Sequence, residues 1–164
     1  SLVYRNAVLG LAEQEAFARP LVNSGRLSSP TPYLHSSLNT PDESEFAGRM
    51  KPGTNCADAP VERDGRPAWF LNSIGDGFTL LAFGARPDVA AVDAGPIALR
   101  TLTVGESGSA NGADLVDAQG LLAERYDARP GTVYLLRPDQ HVAARWRAFD
   151  ARKVAAALRR CTAR

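Results

Sequence analysis

Tyr126–Trp146 reads YDARPGTVYLLRPDQHVAARW, and this stretch decides the fold of the last third of the chain. Thr132–Leu136 is a β-branched, aromatic and apolar run of strand length. Arg137-Pro138-Asp139-Gln140 suits a type I turn, with Pro138 supplying its fixed φ at the second position. On the return, Val142, Ala144 and Trp146 alternate with Ala143, Arg145 and Arg147, which predicts a strand with one buried face. Asp150 then caps a helix whose apolar stripe is Val154, Ala155, Leu158 and Cys161, with Arg159 and Arg160 favouring its negative end.

Working back from this hairpin, Asp117 reads as the N-cap of a helix through about Tyr126, with Leu122 and Tyr126 spaced i, i+4. Leu115–Val116 is a short extended piece, and Gly105–Gly112 (GESGSANG) is a loop. Ile97–Val104 and Phe78–Phe83 (FTLLAF) are strands, the latter apolar enough to be covered on both faces. A weak helix is expected at Asp88–Val92 between them. The order β-α-β, α, β-hairpin, α predicts a parallel crossover joined by antiparallel strands. That is an α/β, thioredoxin-like mixed sheet flanked by helices, with an irregular N-terminal extension.

The extension has two parts. Leu2 to about Ala18 has helical spacing, with Val3, Ala7, Leu11, Val8 and Leu9 on its apolar side and Pro20 helping to end it. From Leu21 to Pro67, six prolines among many Ser, Thr, Asn and Gly exclude regular helix and predict extended chain and turns. So long an irregular stretch is unusual inside a compact domain, and it reads as a segment that lies on another domain. The boundaries expected are 1–60 for this extension and 61–164 for the sheet domain.

With 164 residues, 45% hydrophobic and 23% charged, the chain is long enough to bury a proper core. A net charge of +1, with nearly all of the 19 cations arginine and scattered, excludes an electrostatic argument for nucleic acid or anionic membranes. Cys56 and Cys161 have no metal-ligand or Cys-x-x-Cys spacing and read as free thiols of a cytoplasmic protein. No apolar run approaches a membrane span, so no membrane partner is expected. A first residue other than Met suggests a piece of a longer protein.

A thiol-redox member of this fold needs Cys-x-x-Cys after its first central strand, where a helix N-terminus stabilises the thiolate. Here Phe83-Gly84 continues into Ala85-Arg86-Pro87-Asp88, so that chemistry is removed. The other chemistry-bearing residues read as structure. Gly105, Gly108 and Gly112 fit neither a dinucleotide nor a P-loop spacing, and Gly75-Asp76-Gly77 is a turn before a strand. His35 and His141 have no carboxylates at metal spacing, and His141 reads as a surface or turn residue. Asp42 and Glu43 are adjacent in a loop and point apart. Trp69 and Trp146 read as core or interface anchors. Arg129-Pro130 stands where such folds place a cis-proline. No catalytic, cofactor-binding or metal-ligating residue is assigned.

Gly77–Leu81, Arg125–Gly131 and Tyr134–Trp146 together resemble the C-terminal thioredoxin-like domain of FAD-dependent aromatic hydroxylases: the phenol hydroxylase, 3-(3-hydroxyphenyl)propionate hydroxylase and polyketide hydroxylase families. Leu2–Leu11 and Ser24–Leu38 resemble the segment leaving the flavin domain, and Gly48–Pro60 the connector. The resemblance implies a parent oxidoreductase that uses FAD, NAD(P)H and dioxygen to hydroxylate a phenolic ring. Its Gly-x-Gly-x-x-Gly and Gly-Asp flavin motifs do not occur here. It also implies a non-catalytic tail whose partner is the parent's flavin domain. A bare apolar strip, left without that domain, would favour a homodimer. The alternative is a stand-alone thioredoxin-like interaction module without redox activity; a cysteine-free glutathione-binding protein is a weaker one.

Overall fold

The computed structural model describes residues 2–15, 18, 30–107 and 112–163, with the backbone alone for Leu2 and Tyr4. The chain forms two compact units, Ser1–Thr31 and Pro32–Arg164. In the first, α1 spans Leu2–Gln14, and its apolar residues Val3, Leu9 and Leu11 are exposed. The sequence extended this helix to Ala18, and Pro20 lies outside the described residues.

The second unit is built on seven strands: β1 Pro60–Arg63, β2 Arg66–Trp69, β3 Phe78–Phe83, β4 Leu99–Glu106, β5 Leu115–Asp117, β6 Val133–Leu136 and β7 Val142–Trp146. They form one mixed sheet in the order β2-β1-β5-β4-β3-β6-β7. β3 and β4 are parallel, as are β4 and β5, while β3–β6 and β6–β7 are antiparallel. Both expected central strands and both arms of the hairpin are therefore present. The turn between the arms closes with Gln140 N–H to Arg137 C=O (3.0 Å). Gln140 follows at φ 59°, the left-handed residue that completes a three-residue hairpin loop.

The strand period is 2, so each face of the sheet collects alternate residues. Leu80, Ala82, Val133, Leu135, Ala144 and Trp146 pack with Val154, Ala155, Ala157 and Leu158 of the last helix, α3 (Ala151–Cys161). Asp150 caps α3 as expected, accepting from Arg152 and Lys153 N–H. On the opposite face, Leu81, Phe83, Leu102, Val104, Tyr134, Leu136 and Val142 pack with Phe70, Leu122 and Tyr126. Val142 is not on the face of Ala144 and Trp146 as the alternation predicted, because the β6–β7 register shifts at Leu135/Leu136. Leu122 belongs to α2 (Leu121–Arg125).

Several expectations are corrected. The Pro-rich segment is not all irregular: β1 and β2 form a hairpin around Asp64-Gly65, at φ 51° and 70°, a two-residue left-handed turn. Pro67 is tolerated because β2 is an edge strand, where a missing N–H faces outward. The crossover from β3 to β4 carries only a 3-10 turn, Val89–Ala91, in place of a helix. β4 runs on through Gly105 to Glu106, because Gly105 pairs with Val116 of β5. Asp117 lies in β5 and is not the N-cap of the helix that follows, a position held by Gly120 at φ 69°; its Oδ2 accepts Ala123 N–H in the first turn at 2.8 Å. The hairpin strand β7 is buried on both faces, Arg145 included at 3% exposure.

That second covering comes from residues 32–59. Gly53 N–H donates to Val142 C=O (2.7 Å), Val142 N–H to Thr54 C=O (2.8 Å) and Thr40 N–H to Ala143 C=O (2.9 Å). Met50, Cys56 and Ala59 enter the core. This strap thus packs within the same compact unit as the sheet, Pro32–Arg164.

Two glycines test the strap against an ordinary turn. Gly53 sits at φ 91°, and a Cβ there would overlap the Tyr33 carbonyl and lie 2.5 Å from Asn39 Nδ2. Gly65 sits at φ 70° in open space. Gly53→Ala should cost more than about 3 kcal/mol, and Gly65→Ala about 1 kcal/mol, read from urea midpoints. Equal costs would mean that the strap is not held against the sheet.

Candidate functional site

The one position where this sheet could present chemistry is the carboxyl end of its parallel strands. β3, β4 and β5 follow one another to one side of the sheet; the chain then returns to the other side of β3 for β6 and β7. This reversal is the place where open α/β sheets form a ligand crevice. A cleft of about 390 Å³ lies there. Phe83 and Gly84 end β3, Gly105 and Glu106 end β4, Asp117 ends β5, and Ala128, Arg129 and Pro130 precede β6.

Backbone pairing sets the walls. Gly84 N–H donates to Val104 C=O (2.8 Å), Gly131 N–H to Phe83 C=O (2.8 Å) and Phe83 N–H to Thr132 C=O (3.0 Å). The Arg129–Pro130 bond is trans, as no peptide bond among the described residues is cis. Arg86, just past the end of β3, is drawn off to Asp114 at 2.8 Å and Thr103 Oγ1 at 3.2 Å. Asp114 in turn accepts from Thr103 N–H and Oγ1–H, both at 2.7 Å. Burial would raise the Asp114 pKa, but these Thr103 bonds and Arg86 together hold it below the usual carboxylate range.

The sulfurs are elsewhere. Cys56 is free and buried, and burial pushes its thiol up to about 12 despite a hydrogen bond with Tyr126. Cys161 is free and half-buried, its Sγ 3.3 Å from Leu38 C=O, and burial raises it as well. At both positions burial favours the thiol over the thiolate. Among the described residues no group of three His, Cys, Asp or Glu side chains could hold a metal ion.

The remaining sequence candidates fall as follows. His141 is not a surface residue: it is 9% exposed, its Nδ1 3.0 Å from Asp139 C=O and its ring 5.2 Å from that of Tyr33. The strap buries it, since Asn55 bridges to His141. His35 is exposed. Trp146 is in the core at 4%, whereas Trp69 on edge strand β2 is 53% exposed. Gly75-Asp76-Gly77 leads into β3 as a turn. Gly105 lies in β4, Gly112 in a turn at φ 77°, and Gly108 outside the described residues.

A second cluster escaped the sequence reading altogether. Arg145 is buried and pairs with Asp42 through two bonds of 2.9 and 2.6 Å. Arg147 bonds Asp127 Oδ2 (2.5 Å) and Glu45 C=O (2.8 Å). Phe46 lies under both guanidinium groups, 4.3 and 3.6 Å from its centroid. Glu43 goes its own way to Lys153, so the adjacent acids do point apart. The pattern Ala-Arg-Trp-Arg at the end of β7 gave no hint of this, because Asp42 and Glu45 lie 103 and 102 residues away in the strap. The cluster fastens the strap to the end of β7.

With this geometry in hand, the chain can be placed: it is a mixed α/β domain whose sheet is flanked by helices and whose thiol position is empty of sulfur. Residues 53–161 match the HcaD C-terminal domain family, and the chain belongs to it. Among solved structures it is similar to aklavinone-11 hydroxylase, crystallised as a ternary complex with FAD and aklavinone (28% identity, TM-score 0.66). That match covers 83% of this chain and 27% of the hydroxylase. In fold it is also similar to the flavin-dependent monooxygenase PieE (22%, TM-score 0.67, covering 90% of this chain and 28% of that one). The RebC-10x structure is a third neighbour (22%, TM-score 0.62, 96% and 28%). The chain thus spans about a quarter of the length of these enzymes. No curated protein matches it in a sequence comparison.

The strap cluster predicts an asymmetry. Asp42→Ala strands the buried Arg145 charge and should cost about 2 kcal/mol, whereas Glu43→Ala, which frees an exposed lysine, should leave the urea midpoint unmoved. Asp127 is held below the usual carboxylate range, first by Ala47 N–H and then by Arg147. Its folded pKa is depressed, so its contribution is present above about pH 4 and fades as acid protonates it. Asp127→Asn should flatten that acid limb; an unchanged limb would contradict the assignment.

Proposed function

We propose that this chain is the C-terminal, non-catalytic structural domain of an FAD-dependent oxidoreductase. The parent would hydroxylate an aromatic, phenolic substrate with NAD(P)H and dioxygen. The observation that carries this reading is membership of the HcaD C-terminal domain family, joined to the 28% identity with a hydroxylase that binds FAD and aklavinone. The absence of a Cys-x-x-Cys after β3 and the burial of Cys56 support the non-catalytic part. In this reading residues 1–60 are the end of the flavin and substrate domain with its connector, and 61–164 are the thioredoxin-like tail. The flavin domain is its intramolecular partner. A homodimer and a cytoplasmic location complete the proposal, in keeping with no described helix long and apolar enough to cross a membrane.

A stand-alone interaction module is the second reading. It is favoured by one observation: the unit Pro32–Arg164 covers both faces of its own sheet without help. The reading frame upstream separates the two, since a Gly-x-Gly-x-x-Gly turn opening a helix belongs only to the first.

FAD added to the purified chain and passed through a desalting column should leave no flavin absorbance with the protein. The product of the complete reading frame should retain FAD and oxidise NAD(P)H faster when a phenol is added. Stoichiometric flavin on the 164-residue chain would overturn the assignment of catalysis to the parent's other domain.

A further inference from the structure

The cleft at the ends of β3, β4 and β5 holds a buried carboxyl oxygen without a donor among the described residues. Asp117 is 6% exposed. Its Oδ2 is occupied by Ala123 N–H, but its Oδ1 is buried and meets no donor among the described residues. No ion pair of the described residues includes Asp117 either. A carboxylate withdrawn from water in this way calls for a donor or a counter-charge.

Around it the cleft is apolar, lined by Phe83, Val104, Ala123, Ala128 and Pro130. Two exposed residues of opposite sign stand among the lining residues, Glu106 and Arg129, so the cleft as a whole is negative once Asp117 is counted. An apolar body with one well-placed polar handle is the usual complement of such a site. We propose that this cleft binds a small organic cation, an aryl-bearing primary amine whose ammonium group faces Asp117 and whose ring lies against Phe83, Val104 and Pro130. About 390 Å³ accommodates one aromatic ring and a short amine arm. The site is separate from any flavin chemistry of a parent enzyme, and it stands or falls without it.

Three probes with the same ring test it on the ¹⁵N-labelled 164-residue chain: phenethylammonium, phenethyl alcohol and phenylacetate. The ammonium should move the amide signals of Gly84, Gly105, Gly120 and Ala123 and saturate at millimolar concentration. The alcohol should bind on the order of tenfold more weakly, having lost the charge-assisted bond, and the carboxylate should not bind. Asp117→Asn keeps an oxygen for Ala123 N–H, and should bring the ammonium down to the affinity of the alcohol. Equal binding of ammonium and alcohol, the absence of localised shifts with all three probes, or undiminished ammonium binding by D117N would each overturn the proposal. Should D117N fail to fold, the three-probe comparison on the unsubstituted chain decides it alone.

Discussion

Tyr126 is the point on which this unit is hung. Its ring is fully buried and meets Phe70 and Tyr134 edge-on, at 5.6 and 5.1 Å, and Phe83 at 6.3 Å. Its hydroxyl donates to Ala57 C=O at 3.0 Å, and its own carbonyl accepts the Tyr134 hydroxyl. One side chain therefore joins the end of α2, the 3-10 turn after β2, the strands β3 and β6, and the strap. Burial pushes the Tyr126 hydroxyl well above its ordinary pKa, with the neighbouring Cys56 adding to the shift. A buried aromatic with its polar tip satisfied both packs and orients, which an aliphatic residue cannot do.

The consequence is a sheet closed on both sides. α3 supplies one cover by its own amphipathic stripe. The other cover is made from the least regular part of the chain, held by backbone bonds to β7 and by Arg145 on Asp42. A buried ion pair of this kind is weak support for net stability, but it is a strong constraint on register, because misplacing either partner leaves a charge unpaired in the interior. The Phe46 ring beneath Arg145 and Arg147 adds a further geometric requirement.

Sequence and structure agree where local chemistry decides the outcome. The FTLLAF run of β3, the Pro138 turn between β6 and β7, and the Asp150 cap of α3 are each legible from a few neighbouring residues. The β1–β2 hairpin was hidden because Pro60 and Pro67 flank its Asp64-Gly65 turn and argue locally against strand; only the edge position of β2 makes Pro67 harmless. The strap, with no period of its own, could not be placed, and the burial of His141 and Arg145 follows from it. The cleft was invisible for a different reason: Gly84, Gly105, Asp117 and Pro130 are scattered along the chain and meet only through the strand order. What the sequence did establish there was negative, the absence of a thiol pair after β3.

Native-state hydrogen exchange tests the central claim, that strap and sheet are a single cooperative structure centred on Tyr126. The amides of Thr40, Gly53 and Cys56, bonded to β7 and its turn, should exchange with the same opening free energy as those of Leu81 and Tyr134 in the sheet. Strap amides that exchange freely while the sheet amides stay protected would contradict it.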